Sequence, residues 1–541
     1  MFFKKFELIV KIRSRHRVDQ AYRWRHYVLL MLMLCLFIGL CLRLVDLTIL
    51  ERPFLQAQSE QRVLHRTLIP GPRGRILDIQ GVPLAMSTAM STVWINPQHW
   101  HATAHQMSVV SKLLGHSTAW LKHRTQQIHK RFVYLKRSVD PSLAHQLAVL
   151  KIRGLNFQSE YRRHYPLGPV MAHVIGFADI DDHGQEGLEL ALDQWLRGVP
   201  GVQLVERDLH SNIIGVREVR QSAQPGRTVQ VTLNHQLQYT VYRHLSAAVQ
   251  RSKAAWGSAI VLDPKTGHVL AMVNFPTFDP NQINARQPAH IRNHAVVDAF
   301  EPGSTMKTLT LIALLKAGFQ PWSQVDVGAG TLKLQGHMIH DEVKHLGRIT
   351  LKEVIKKSSN VGIAKLALKV PAEHLHHVFE QLGLGHVTSS GFPGESSGQL
   401  HRLTRSGGFD HAAMAYGYGV SVTLLQLAHA YAILANGGID PGVHFVRTSH
   451  DLKQRVMSKR MAQQVMQVLQ HVTEKGGSGF RAHVAGIHVA GKTGTALIAG
   501  PTGYQTDAVN ASFIGIAPVQ HPQLVVANVL HKPGPGWHLG G

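Results

Sequence analysis

Only one stretch of this chain is apolar enough to leave water, and it decides on which side of a membrane everything after it must fold. Residues 27–42 read YVLLMLMLCLFIGLCL without a charged side chain, and apolar character resumes beyond Arg43 at Leu44, Val45, Leu47, Ile49 and Leu50. A helix of that length crosses about 30 Å of hydrocarbon, provided Arg43 lifts its guanidinium toward a headgroup. A cleaved leader has a similar core but needs small residues at its end, and Arg43, Leu44, Val45 and Asp46 occupy those places. The span is therefore expected to remain as an anchor. Lys4, Lys5, Lys11, Arg13, Arg15, Arg17, Arg23 and Arg25 precede it, whereas only Arg43, Arg52, Arg62 and Arg66 follow closely. That asymmetry puts the N-terminus in the cytoplasm and the rest of the chain outside. Both cysteines, Cys35 and Cys41, fall inside the span, so the exported part must hold together by packing alone.

The 541 residues together are globular in composition, at 44% hydrophobic and 17% charged, which excludes a disordered tail and a fibre, and the single long apolar run excludes a polytopic membrane protein. Lys and Arg outnumber Asp and Glu by 57 to 33, a formal net charge of +24. The basic residues are scattered and no nucleic-acid motif accompanies them, so nucleic acid is not expected as a partner. Histidine is abundant at 37 residues, with pairs such as His374 and His377 or His340 and His345. None belongs to a HExxH pattern, and neither a metal nor a cofactor is expected.

Gly and Pro punctuation divides the chain into a basic tail at 1–26, the anchor at 27–47, a first exported domain at 48–225 and a second at 226–541. The first mixes short strands with helical stretches, of which 143–150 and 188–196 have helical spacing. After AQPG at 223–226, residues 228–233 alternate as a strand and 236–249 read as a helix. Residues 258–262 and 268–273 form a hairpin about the turn Asp263–Gly267. Strands return only at 484–490, 511–517 and 524–530. Strands at both ends with helices between predict an α+β domain with one antiparallel sheet built from both termini.

Three motifs in the second domain carry chemistry. Ser304-Thr305-Met306-Lys307 opens an apolar helical run after Pro302-Gly303. Ser304 would sit at a helix start, where free N–H groups favour developing negative charge, with the Lys307 amine reaching back to its hydroxyl. A lysine neutralised by burial makes that serine a nucleophile with its own base. Alone the pattern is weak, since Ser-x-x-Lys arises by chance roughly once or twice in a chain this long. Ser358-Ser359-Asn360 offers a proton-relaying hydroxyl and an amide for a substrate carbonyl or for Lys307; taken alone the same residues read better as a helix cap, and the two readings are compatible. Lys492-Thr493-Gly494-Thr495 follows the 484–490 strand. It lacks the upstream glycine of a phosphate loop, and suits an edge carrying a cation and hydroxyls for a carboxylate; a plain loop turn is the alternative.

Together and in this order, the three motifs are those of penicillin-binding proteins and class A β-lactamases. The resemblance extends over most of the chain: RGRILDIQGVPLAMS (73–87), RRHYPLGPVMAHVIGF (162–177), GQEGLELALDQWLRGVPG (184–201), VLDPKTGHVLAMVNFPTFDPN (261–281), EPGSTMK, KSSNVGIAKLAL, AMAYGYGVSVTLLQLAHAYAILANGG (413–438) and AGKTGTA. The chain resembles a class B penicillin-binding protein, and the GYGVSVTLLQLA stretch with the SSN form resembles the septal peptidoglycan D,D-transpeptidase of cell division. The resemblance implies an inner-membrane, single-pass protein at the septum, with a non-catalytic pedestal of the dimerisation type below a transpeptidase domain. It implies that Ser304 attacks the D-Ala-D-Ala carbonyl of a stem peptide, Lys307 takes its proton, and Ser358 passes one to the departing D-alanine. Lys492, Thr493 and Thr495, with Gly494 allowing close approach, would bind the terminal carboxylate, and Asn360 the side of the donor. The N–H groups of Ser304 and Thr495 would form the oxyanion hole.

β-Lactams would acylate Ser304, and a membrane-embedded septal glycan polymerase and other division proteins would be partners. Family members continue into a C-terminal helix on the sheet, whereas this sequence reads Gly536-Trp537-His538-Leu539-Gly540-Gly541 where that continuation would begin. An uncovered apolar sheet face is the expected consequence of such a truncation. A β-lactamase would need a further base for water that the sequence does not display. A D,D-carboxypeptidase shares the acylation step and differs in using water as acceptor, and a non-catalytic division scaffold is the reading from a different class.

Overall fold

The computed structural model describes residues 2–207, 213–282, 287–403, 407–447, 454–500, 503–537 and 540. Helix α1 runs unbroken over Phe2–Val45 and closes in a π turn at Asp46–Leu50, so the basic tail and the anchor share one helix. Its apolar stretch, Trp24–Leu50, has 27 residues and contains an 18-residue window of mean hydropathy 2.8, none of which is buried against the rest of the chain. At 1.5 Å per residue it reaches about 40 Å, enough for a bilayer core. Arg43 pairs with Asp46 one turn on, which partly neutralises the charge near the C-terminal end of the apolar stretch.

The domain that follows the apolar helix carries two sheets. Strands β1 (Leu64–Ile69), β6 (Gly201–Arg207) and β7 (Ile213–Gln221) form one, in that order. The other centres on the long β3 (Pro83–Ile95), which pairs with β2 (Ile76–Leu77), β4 (Val133–Val139) and β5 (Leu155–His164). The helix expected at 143–150 spans Pro141–Val149, begun by Asp140 accepting the Ser142 N–H at 2.8 Å with proline at the first helical position.

The 188–196 helix, by contrast, is broken into Gly187–Ala191 and Asp193–Leu196. The Glu189 carbonyl, which a continuous helix would give to residue 193, accepts from Arg73 Nη2 at 2.8 Å instead. Around it lies a buried ion cluster: Glu189 pairs with Arg73 and Arg163, both at 2.6 Å, and Arg73 also reaches Asp193 at 2.7 Å. Arg197, half-exposed, pairs with the other Asp193 oxygen, so three guanidiniums share two carboxylates, and the pairing is what allows the buried charges to be kept from water.

The second domain is built on a five-stranded antiparallel sheet. Its order is β10 (Val269–Phe275), β9 (Trp256–Leu262), β15 (Leu524–His531), β14 (Gly503–Ala517) and β13 (Ala490–Gly500). Both ends of the domain thus supply one sheet; Ile260 faces Met272 on one side and Ala527 on the other. The hairpin at Asp263–Gly267 forms as expected, with the Gly267 N–H on the Asp263 carbonyl at 2.9 Å. Helix α2 (His235–Ser252), capped by Asn234, packs Leu245 and Val249 on Ala259 and Val273. On the same face Phe513 and Val526, on β14 and β15, remain half-buried.

The opposite face is sealed by α7 (Leu424–Ala435), every residue of which is buried, and α8 (Lys459–Thr473). Between hairpin and final strands lie α3 (Lys307–Lys316), α4 (Leu351–Lys357), α5 (Asn360–Ala367), α6 (Phe409–Ala415) and the small hairpin of β11 (Thr331–Leu334) and β12 (His337–His340). The two domains share a core, because β8 (Val229–Gln230) runs parallel to β2 and Ile76, Leu84, Tyr165 and Val174 join the same apolar cluster as Ile260 and Met272.

One expectation fails at the edge of the sheet. Residues 484–489 form no strand beyond a single bridge between Val484 and Ile487, and β13 begins where that strand was expected to end. Lys492, Thr493, Gly494 and Thr495 therefore lie within the strand rather than after it.

Candidate active site

The nucleophile motif is held by backbone, not by side-chain caps. Residues Gly303–Met306 form a 3-10 turn that feeds directly into α3. Gly303 has φ +53 and donates its N–H to the Gly417 carbonyl at 3.1 Å, and a Cβ there would stand 2.6 Å from the Thr495 carbonyl. Only glycine brings the serine turn this near the edge strand. Tyr431, fully buried in α7, donates to the Thr305 carbonyl at 2.8 Å and accepts from the Thr308 hydroxyl at 2.7 Å, clamping the turn from below. Ser304 is half-buried between the buried Gly303 and Thr305.

Lys307 is completely buried and does not reach Ser304 by any hydrogen bond. Its Nζ donates to the Ser358 carbonyl at 2.5 Å, to Ser358 Oγ at 3.2 Å and to Asn360 Oδ1 at 2.7 Å. The sequence-based expectation of a direct Lys307–Ser304 contact is thus corrected: three other acceptors take the amine's hydrogens, and hydrogen bonds used in catalysis are often loose before substrate arrives. Ser358 owes its place to two helix ends. A capping box of Thr350 and Glu353 starts α4, Ser358 ends it in the left-handed region at φ +57, and Ser359 caps α5 by accepting the Gly362 N–H at 2.8 Å. The cap and the polar site expected separately from Ser-Ser-Asn thus coexist, on neighbouring residues.

From the other side comes Lys492, also fully buried, donating to Ser358 Oγ at 2.9 Å and to the Thr493 carbonyl at 3.0 Å. One hydroxyl therefore sits between two lysine amines. Burial pushes Lys307 down to about 7, with Asp341 and Glu342 opposing the shift. Burial, reinforced by the neighbouring Lys307, holds Lys492 well below the ordinary lysine value. Two ammoniums in so dry a place are expensive together, which leaves a free amine available near neutral pH.

β13 is the outer strand of its sheet, with its free edge toward Ser304. The Leu497 N–H points away from β14 and donates to Tyr418 Oη at 3.2 Å. By strand alternation the Thr495 N–H and carbonyl face the same way, toward the cleft. Gly494 is packed so closely that a Cβ would lie 2.8 Å from Thr305 Cγ2 and 2.3 Å from Ser512 Oγ. Thr493 Oγ1 contacts Ser478 Oγ at 3.3 Å, and Thr495 Oγ1 accepts the Gly540 N–H at 3.2 Å.

A family model of the penicillin binding protein transpeptidase domain matches residues 257–539, and one of the penicillin-binding protein dimerisation domain matches residues 68–231. The chain belongs to the class B penicillin-binding proteins. It is 35% identical over 502 residues to the probable peptidoglycan D,D-transpeptidase PbpC of Pseudomonas aeruginosa, covering 92% of this chain and 89% of that one. Against the peptidoglycan D,D-transpeptidase FtsI of Escherichia coli K12 the identity is 33% over 528 residues, with 96% and 89% covered. The crystal structure of penicillin binding protein 3 from Mycobacterium tuberculosis complexed with ampicillin superposes with a TM-score of 0.67 at 30% identity, over 86% of this chain and 90% of that one.

Several residues that shape the site in this penicillin-binding protein carry no sequence signal of their own. Buried Asp341 accepts from Ser359 Oγ at 2.6 Å and from the Val361 N–H at 2.9 Å, fixing the start of α5 and so Asn360. Glu301 accepts from the Gly419 N–H at 2.8 Å and from Tyr504 Oη at 2.9 Å. Asp341 lies in a charged loop and Glu301 in an irregular one, where neither periodicity nor spacing marks a buried carboxylate. The histidines paired in sequence are engaged elsewhere, His374 with the Ala313 carbonyl and His377 with Gln381.

Proposed function

We propose that this chain is the septal peptidoglycan D,D-transpeptidase of its cell, working through a serine acyl-enzyme. The observation that carries the reading is the Ser358 hydroxyl held between two buried lysines beside the serine turn. A stem peptide ending in D-Ala-D-Ala would lay its carboxylate on Lys492, Thr493 and Thr495. That negative charge favours the ammonium form of Lys492, whose repulsion in turn favours the neutral form of Lys307. Ser304 Oγ then attacks the penultimate carbonyl carbon as its proton passes to Lys307. The oxyanion is stabilised by the N–H groups of Ser304 and Thr495. The C–N bond breaks, Ser358 relays a proton to the leaving D-alanine nitrogen, and an ester remains on Ser304. A primary amine of a neighbouring stem attacks that ester, loses a proton to Lys307 and leaves an amide cross-link with Ser304 restored.

β-Lactams would enter the same sequence and stop at the ester. The span, with its N-terminus in the cytoplasm, would keep both exported domains facing the wall. A membrane-embedded septal glycan polymerase and other division proteins would meet the span and pedestal. Relatives named peptidoglycan D,D-transpeptidase FtsI support the reading.

The test labels the full chain in detergent with fluorescent penicillin and maps the labelled peptide. Label at Ser304 that disappears in Ser304→Ala is expected, followed by cross-linked product from stem peptides. A folded protein that takes no label overturns the reading in favour of a scaffold. Free tetrapeptide without cross-links would make the enzyme a carboxypeptidase. Depletion in the native cell should block septation; a block in elongation instead would overturn the septal assignment.

A further inference from the structure

The lobe built on β3, β4 and β5 has an apolar core of its own and almost no acid. Val93, Ile95, Val110, Leu121, Val133 and Leu147 bury one another apart from the cluster that Ile260 joins. Residues 96–155, all of them described, hold nine Lys and Arg against a single carboxylate, Asp140, a net +8 of the formal +24. Asp140 is engaged in capping the Pro141–Val149 helix. Other arginines of this domain are neutralised, Arg73, Arg163 and Arg197 by Glu189 and Asp193, and Arg137 by Glu160 and Asp181. Lys122, Arg124, Lys130 and Arg131 make no ion pair with a described residue, and all but the half-buried Arg124 are exposed. The four share one compact turn. The helix Thr118–Thr125 ends with the Gln126 N–H on the Lys122 carbonyl at 3.1 Å, and the Lys130 N–H then closes on the Gln127 carbonyl at 2.9 Å.

The same turn is apolar where it meets water. Ile128 is 67% exposed and Phe132 40%. Phe132 stacks on Trp94 at a centroid separation of 4.5 Å and meets Tyr134 edge-on at 4.7 Å. Val93, Ile95, Val133 and Leu135 point into the core, so strand alternation puts Trp94 and Tyr134 on the outer face of the sheet. Asn156 and Gln158 of β5 lie on that face too, Asn156 directly opposite Trp94. Basic side chains alone would be the solvated surface of a basic protein. They do not account for a run of exposed rings beside them. A bilayer surface would accept the cations and Ile128, but would leave the two amides poorly satisfied. Rings, amides and unpaired cations together fit a sugar chain that bears carboxylates: rings for the apolar faces of pyranoses, amides for hydroxyls and cations for the acids.

The polymer that the chain is proposed to cross-link has that chemistry, since each uncross-linked stem peptide ends in a carboxylate. We infer that the outer face of β3, β4 and β5, with the turn at 122–131, binds a peptidoglycan strand through its sugars and the carboxylates of its stems. A strand held there keeps its further stems at high effective concentration for Ser304. The inference rests on peptidoglycan as the substrate.

The experiment measures binding of fluorescently end-labelled, uncross-linked peptidoglycan strands to the full chain in detergent, after penicillin has acylated Ser304 and closed that site. Binding should persist. Lys122→Gln, Lys130→Gln and Arg131→Gln together should weaken it about tenfold, as three exposed charge contacts would. Phe132→Ala should weaken it about fivefold. Both variants should take penicillin at Ser304 at the unaltered rate, which checks their fold. Strands whose carboxylates have been amidated should bind no more tightly than native strands bind the triple variant. Binding that penicillin abolishes belongs to the serine site and overturns the inference. So does binding that the triple variant keeps in full. Polyglutamate bound as tightly as the strands overturns it as well, in favour of an acidic protein as the partner. If Ser304 takes no penicillin, the transpeptidase reading falls, while strand binding that the triple variant loses would still uphold this one.

Discussion

At the scale of single residues, the site turns on how dry the two lysines are. Lys307 is pushed down to about 7 by burial, so below that pH it carries a proton and cannot take one from Ser304. Penicillin acylation is therefore expected to rise with pH and to level off above an apparent value near 7. Lys307→Arg keeps the cation but cannot lose it, and should lower acylation about a thousandfold while abolishing that limb, as stopped-flow labelling across pH would read. Ser358 separates conformation from chemistry. Its left-handed φ of +57 strains any residue with a Cβ, whereas its hydroxyl serves both amines. Ser358→Gly and Ser358→Ala should lose acylation alike. The glycine variant should nevertheless be more stable by about 1 kcal/mol, because it alone relieves the backbone. Equal unfolding midpoints for the two would show that no strain is held there.

At the scale of elements, the decisive contact is between β13 and the serine turn. Gly494 leaves no room for a methyl group between Thr305 and Ser512. Gly494→Ala should push the edge strand away from Ser304 and cut acylation about a hundredfold, the effect of a displacement near 1 Å. The melting midpoint should move little, since β13 is an outer strand; a large fall would mean that the glycine serves folding more than alignment. The sequence made the hairpin and α2 legible because their turn chemistry and periodicity are local. It misplaced β13, whose AGKTGTALIAG has neither alternation nor many β-branched residues and becomes a strand by pairing with β14. The helix read at 188–196 failed for a similar reason, because Arg73, over a hundred residues away, takes a carbonyl that the helix would have used. In the site, the three motifs were visible from their spacing. Their meeting on Ser358 was not, since Lys492 lies 134 residues beyond it.

At the scale of the whole molecule, the first domain and the catalytic domain share one apolar core. Asp78 joins them through a 2.6 Å contact with His235 at the start of α2. Burial raises the Asp78 carboxyl, but hydrogen bonds from His235, Val82 and Gln80 outweigh it and hold the group below the ordinary aspartate value. Its contribution to stability is thus complete above about pH 4 and is lost as pH falls through the lower folded value. Asp78→Asn should flatten that acid limb in a series of melts. The shared core makes a stronger claim. Because Ile76 and Tyr165 pack into the same cluster as Ile260, damage confined to the pedestal should reach Ser304 through stability alone. Glu189→Ala removes the carboxylate paired with buried Arg163 and one of the two paired with Arg73, and should cost about 3–5 kcal/mol. On heating this variant, penicillin labelling at Ser304 and hydrogen-exchange protection of β3 should be lost together, in one transition at a lower temperature than in the unaltered chain. Labelling that outlasts the protection of β3 would instead mean that the catalytic domain stands without its pedestal, and that the common core does not couple them.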